Sequence, residues 1–270
     1  MSDSIITFDN VSYKYSCGTI ALNNVNLDIP RSKKSVILGA NGAGKSTLML
    51  LLNGILKPES GSLLYNKIEY NYSKKKIRVI RNDIGILFQD SDSQLIAPSV
   101  YEEITFGLCN ISNNKDWIKS QANMVIESFK LNDIIDKPPH QLSDGQKKRV
   151  CLAAIVAMEP EVIVCDEPAS NLDPQSTEMM FNYLDKLNSQ GKTIIISTHD
   201  VNHAYEWADS IIVMNRGNVI AQDTPTNVFS DNELINSSGL KIPSIIDICN
   251  KLGIKEYPEN IDVLIKQLKI

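Results

Sequence analysis

The run Gly39-Ala40-Asn41-Gly42-Ala43-Gly44-Lys45-Ser46 constrains this chain more than any other feature. It matches G-x-x-x-x-G-K-[S/T] and lies between an apolar strand-like stretch at 35–38 and a helix-like run at 47–53. A strand feeding such a loop and then a helix makes a phosphate cradle. The glycines let the backbone wrap an anion without Cβ clashes, while successive amide N–H groups and the helix N-terminus supply fixed positive potential. In that setting Lys45 is placed to reach the β- and γ-phosphates and the Ser46 hydroxyl to ligate Mg²⁺. Gly39, Ala40, Asn41, Gly42, Ala43, Gly44 and Thr47 complete the candidate phosphate-binding set. A glycine-rich turn without a ligand is the bland alternative, and the filling of every motif position argues against it.

The rest of the chain supports the same kind of fold. Short β-branched apolar runs at 84–88, 162–165, 193–197 and 211–214 recur between amphipathic helical segments, a pattern that predicts a largely parallel sheet flanked by helices. The first thirty residues differ, because 5–11 and 22–29 read as strands joined through the turn Cys17-Gly18-Thr19. They predict an antiparallel edge ahead of the parallel core. Residues 100–140 are dominated by helical patterning, with 117–130 the clearest helix and Lys137-Pro138-Pro139 a stop. The expected organisation is an α/β domain over 1–220, carrying an inserted helical subdomain at about 100–160, and a small C-terminal helical extension over 221–270. In that extension Ile245, Ile246, Cys249 and Leu252, then Ile261, Leu264, Ile265 and Leu268, recur at helical spacing. Such a face either caps the domain's own core or makes a dimer contact. These 270 residues carry no internal repeat and have room for one copy of the domain, so a single copy is the expectation.

Charge and composition remove several function classes. A net charge of −5 and a pI near 5.3 argue against a nucleic-acid binder, which normally carries a basic stripe. The five cysteines are scattered and form no C-x-x-C pair, as expected for reduced intracellular thiols. The start Met1-Ser2-Asp3-Ser4 lacks the basic and apolar regions of a secretory signal. No stretch approaches the roughly 20 apolar residues of a membrane-spanning helix, so membrane association is expected to come through a partner.

A second motif narrows the chemistry. Val162-Ile163-Val164-Cys165 is an apolar strand that ends in Asp166-Glu167. A strand end of this kind delivers one carboxylate, Asp166, to a magnesium shell and its neighbour, Glu167, to an attacking water. The guanine-reading N-K-x-D pattern is missing, since Asn66-Lys67-Ile68-Glu69 ends in the wrong residue. Between the two motifs stands Leu142-Ser143-Asp144-Gly145-Gln146, followed by a helical run at 147–158. Ser143 and Gln146 have S-x-x-Q spacing, which predicts a capping box starting that helix, with Asp144 in its first turn.

This last element resembles the L-S-G-G-Q signature of the ABC ATPase family, with Asp144 as the one departure. Further family elements follow in order: an A-loop aromatic at Tyr15, a Q-loop at Gln89, a D-loop at Ser170-Asn171-Leu172-Asp173, and an H-loop at His199, with Pro168 after Glu167. The resemblance implies a P-loop NTPase of the α/β class, with an antiparallel N-terminal β subdomain, a mostly parallel core sheet and an inserted helical subdomain. It also implies roles. Tyr15 offers a face for adenine, with Tyr13 as the nearby competitor, and Gln89 offers an amide to Mg²⁺ or water. His199 contacts the γ-phosphate, Glu167 activates water, and Ser143, Gly145 and Gln146 cover the ATP of a facing subunit.

The segment from Gln89 to Gly107 and the run Gln146-Lys147-Lys148-Arg149-Val150 resemble energy-coupling-factor (ECF) transporter ATPases, including the cobalt and nickel CbiO type. That likeness implies an ATP hydrolase powering import of a metal ion or vitamin from the cytoplasmic face of the cell membrane. Its partners would be a second ABC ATPase subunit in a homo- or heterodimer, a transmembrane coupling protein and a separate membrane substrate-binding component. The alternative is a soluble ABC ATPase of translation, DNA repair or iron–sulfur assembly. A metabolic P-loop kinase leaves the signature and D-loop unexplained.

Overall fold

The computed structural model describes residues 3–254 and 256–268 and forms two compact units, Met1–Tyr70 with Ile195–Ile270, and Asn71–Ile194. Met1 and Ser2, on which the reading of the N-terminus partly rests, lie outside the described residues. Elements are numbered in chain order across both units.

In the first unit, β1 (Ser4–Lys14), β2 (Ile20–Pro30), β4 (Ser60–Tyr65) and β5 (Ile68–Glu69) form an antiparallel sheet in the order β2-β1-β4-β5. The N-terminal strands therefore build an antiparallel sheet of their own, the N-terminal β subdomain expected from the sequence. β1 lies inside it, paired on one side with β2 and on the other with β4. β3 (Lys34–Leu38) pairs in parallel with β9 (Ser210–Asn215), and β10 (Asn218–Asp223) returns antiparallel to β9. Val36, Ile37 and Leu38 and Ile211, Ile212 and Val213 are all buried, as continuous apolar runs covered on both faces should be.

The helices of this unit are α1 (Lys45–Leu52), α7 (Val201–Trp207), α8 (Pro225–Ser230), α9 (Asn232–Ser238), α10 (Ser244–Leu252) and α11 (Ile261–Gln267). The C-terminal extension splits by face. Ile245, Ile246, Cys249 and Leu264 are buried, whereas Leu252, Ile261, Ile265 and Leu268 are exposed. The Tyr205 hydroxyl on α7 donates to the Pro258 carbonyl at 2.9 Å and anchors the loop between α10 and α11.

The second unit holds α2 (Lys74–Asp83), β6 (Ile84–Leu87), α3 (Val100–Ile111), α4 (Lys115–Ser128), α5 (Asp144–Ala157), β7 (Val162–Asp166) and α6 (Pro174–Ser189). β6 and β7 pair in parallel, and the unit boundary runs through β8 (Thr193–Ser197). Local chemistry starts the helices: Ser99, Asn114, Ser143 and Asp173 each accept backbone N–H bonds at the N-caps of α3, α4, α5 and α6. Among the described residues no helix is long and apolar enough to cross a membrane. All five cysteines are free, and burial pushes the thiols of Cys151 and Cys165 up to about 12, which makes them inert.

Candidate functional site

The phosphate loop joins β3 to α1 in the first unit. A Cβ on Gly44 would stand 2.6 Å from the Ala21 carbonyl oxygen at a φ of +105°, so only glycine fits. At Gly42, with φ +80°, nothing stands within 4 Å of an added Cβ, and the loop is open on that side. Gly44 caps α1 without any side-chain hydrogen bond, which leaves the first-turn amides to an outside acceptor. Lys45 is buried, and its Nζ donates to the carbonyls of Gly39 at 2.8 Å and Ala40 at 3.3 Å. Ala40, Asn41, Gly42 and Ser46 are exposed, while Gly39, Ala43 and Thr47 are buried beneath them. A cleft of about 500 Å³ beside Ala40 to Ala43 is lined on its far side by Asn215, Arg216 and residues 236–239 of the C-terminal extension.

Two aromatic candidates stand next to one another, with Tyr13 and Tyr15 ring centroids 5.1 Å apart and edge-on at 89°. Tyr15 is the one tied to the phosphate loop's helix, since its hydroxyl and the Thr47 hydroxyl are 2.9 Å apart. Its ring remains exposed, whereas Tyr13 is half-buried. His199 is also exposed, just past β8, and the preceding Thr198 N–H donates to the Ile37 carbonyl of β3 at 3.3 Å. Asp200 then caps α7 through the amides of Asn202 and His203.

The second unit carries the acidic and signature residues. Asp166 ends β7, and Glu167 follows in the left-handed region at φ 49°, both half-buried. Gln89 is exposed just beyond β6. The predicted capping box is present: the Ser143 side chain accepts from the Gln146 N–H at 3.3 Å, and the Ser143 N–H donates to Gln146 Oε1 at 3.0 Å. The helix starts at Asp144, directly after the Ser143 cap, with Asp144 in the first turn as the S-x-x-Q spacing predicts. Asp144 leans toward Lys147, with Oδ1 to Nζ at 4.0 Å, and Lys147 itself pairs with Asp92 at 2.7 Å. The Asp92 hydrogen bond holds the Lys147 ammonium above the usual lysine range. A Cβ on Gly145 would meet Ser176 Oγ at 2.7 Å. Ser176 is in turn held by the D-loop residue Asp173, which accepts from its Oγ at 2.6 Å and its N–H at 2.9 Å. Those bonds hold the Asp173 carboxyl below the usual carboxylate range.

Three polar residues, all within stretches that carry the family resemblance, have no individual role legible in the sequence. Gln94 accepts from the Phe88 N–H at 3.0 Å and donates to the Ile86 carbonyl at 3.1 Å, so its amide extends the pairing of β6. Glu103 is buried and accepts from the amides of Ile96 and Ala97 at 2.9 and 2.8 Å, fixing the loop after Gln89. Lys148 is buried, and its Nζ meets the carbonyls of Glu167, Pro168 and Ser170 at 2.9, 3.2 and 2.9 Å and Ser170 Oγ at 3.0 Å. Its pKa is lowered from the usual lysine value by burial.

Comparison with known proteins gives a consistent picture. A family model described as ABC transporter matches residues 22–170. The energy-coupling factor transporter ATP-binding protein EcfA2 of Methanospirillum hungatei is 42% identical over 250 residues, covering 93% of this chain and 63% of that protein. Among solved structures, cbiO1 from Clostridium perfringens, described as part of the ABC transporter complex cbiONQ, is similar with a TM-score of 0.78 and 40% identity, covering 92% of this chain and 100% of that one. The dimeric post-hydrolysis state of the cassette MJ0796, bound to ADP and Pi, is similar with a TM-score of 0.74 and 30% identity, covering 82% of this chain and 98% of that one. This chain spans about 60% of the length of some curated relatives that it matches.

Proposed function

The chain belongs to the ABC transporter family, and from that premise we propose that it is the ATP-hydrolysing subunit of an ECF-type importer. The observation that carries this reading is the N-terminus of α5. Its capping box presents Ser143, Asp144 and Gly145 at the surface, with Ser143 and Asp144 exposed. The helix dipole favours an anion from outside the chain even though the Asp144 carboxylate opposes it, and the γ-phosphate held by a facing ATPase subunit is such an anion. A monomeric kinase has no use for it.

Two subunits then close head to tail on two ATP molecules. Lys45 leaves its carbonyl partners for the β- and γ-phosphates, and the first-turn amides of α1 receive the phosphate oxygens. Tyr15 stacks on the adenine, as aromatic faces do with any base. Glu167 orients or activates the water, and His199 donates to the γ-phosphate. The Ser46 hydroxyl, the Gln89 amide oxygen and the Asp166 carboxylate are hard oxygen donors suited to Mg²⁺, which supplies charge neutralisation at the β- and γ-oxygens when bound. Hydrolysis separates two charged products and the dimer opens.

The membrane-side partner is a transmembrane coupling protein that meets the surface after Gln89, with a separate membrane component capturing a metal ion or vitamin. This ATPase therefore lies peripherally at the cytoplasmic face. The exposed residues Leu252, Ile261, Ile265 and Leu268 of the C-terminal extension contribute to the contact with the second ATPase subunit. The reading is tested by purifying the chain with its native partners and identifying them. Multi-span membrane proteins and a second ATPase are expected, and their absence would overturn the transport assignment. Lys45→Ala is expected to abolish ATP binding in calorimetry; near wild-type affinity would overturn the phosphate-loop assignment.

A further inference from the structure

Lys148 lies in the second turn of α5, one helical turn beyond Asp144, and only 3% of its surface is exposed. An ammonium has three N–H donors and no acceptor, and burying one is costly unless all three are used. Here they are shared among four oxygens between 2.9 and 3.2 Å away. Three of the four are main-chain carbonyls of Glu167, Pro168 and Ser170, and the Glu167 oxygen also accepts from the Ser170 N–H at 3.0 Å. Carbonyl dipoles that converge on one point repel each other unless a cation stands between them. The loop needs such restraint, because Glu167 and Asn171 both occupy the left-handed region, at φ 49° and 61°, without being glycine.

We propose that Lys148 is a positioning residue for ATP hydrolysis: it locks the backbone that carries Glu167 to the helix that begins at the signature. This rests on the reading of Glu167 as the residue that handles the attacking water. The helix from Ser143 to Lys148 is rigid, so a movement of Ser143 and Gly145 on meeting a facing nucleotide carries the 167–170 backbone with it. The ammonium thus links the end of the helix that serves the facing subunit's ATP to the carboxylate that serves the chain's own.

The test compares Lys148→Met, which keeps length and apolar bulk but donates nothing, with Lys148→Gln, which retains two N–H donors. ATP turnover, ATP binding and thermal melting are measured for each in the assembled ATPase. Lys148→Met is expected to lower kcat about 10- to 100-fold, since small misplacements of a reacting group cost that much, with KM changed less than about twofold. Lys148→Gln is expected to recover part of the lost kcat. Wild-type kcat in Lys148→Met, or kcat and ATP affinity falling together with the melting temperature, would overturn the proposal. If Lys148→Met does not fold, Lys148→Gln decides: reduced kcat at unchanged KM supports the link, and wild-type kcat overturns it. Failure of the underlying reading is distinguishable, because it would appear as a wild-type protein that does not hydrolyse ATP, or as unchanged turnover in Glu167→Gln.

Discussion

Two substitutions separate the hydroxyl of Tyr15 from the aromatic face proposed to stack on adenine. Its hydroxyl is 2.9 Å from Thr47 Oγ1, a neutral hydrogen bond to a buried partner, while its ring stays exposed beside the phosphate loop. Tyr15→Phe removes only that bond, so folding stability should fall by about 0.5–1.5 kcal/mol while ATP affinity is unchanged. Tyr15→Ala also removes the face on which adenine would stack, and base stacking on an aromatic is worth about 1–3 kcal/mol. ATP should then bind roughly 5- to 150-fold more weakly, and GTP should weaken in parallel because stacking reads no base edge. Tyr13→Ala leaves that face in place and removes the edge-on ring contact, about 0.5–1.5 kcal/mol of stability beyond the apolar area lost by truncating a half-buried ring. Calorimetric titration of the three variants with ATP and GTP, alongside thermal melts, measures all of this. Unchanged ATP affinity in Tyr15→Ala, with a loss in Tyr13→Ala, would refute the assignment.

Glu167→Gln should bind ATP as the wild type does, hydrolyse it at background rate and accumulate as an ATP-dependent dimer in gel filtration; unchanged turnover would move the water-handling role elsewhere. Asp144→Gly removes a carboxylate from the signature helix start and should raise turnover about 2- to 10-fold at low salt, with a lower melting temperature because glycine is a poor helix former. Equal rates would mean that Lys147 already holds the charge away from the nucleotide. Asp173 contributes its cap to α6 at neutral pH, and because its folded-state pKa is depressed that contribution is lost as pH falls through the lowered value. The gap in melting temperature between wild type and Asp173→Ala should therefore close in acid, and a gap independent of pH would refute the charged cap.

What the sequence alone determined is the local chemistry. The phosphate loop, the Asp166-Glu167 strand end and the Ser143-Gln146 capping box depend on residues within a turn or two of each other, so spacing is enough to read them. The parallel strands were legible for a similar reason: residues buried on both faces leave continuous apolar runs. Tertiary structure decided the pairings across long stretches of chain. β4 closes a separate antiparallel sheet by pairing with β1 some fifty residues away, and the Tyr15 hydroxyl meets that of Thr47 across 32 residues. Lys148 reaches the carbonyls of residues 167–170 about twenty residues on, although in the sequence it is one of two adjacent lysines. Its neighbour Lys147 turns the other way, to Asp92. Sequence periodicity reports which face of its own element a residue occupies, but a buried polar group is defined by what it meets, and that is set only when distant segments pack.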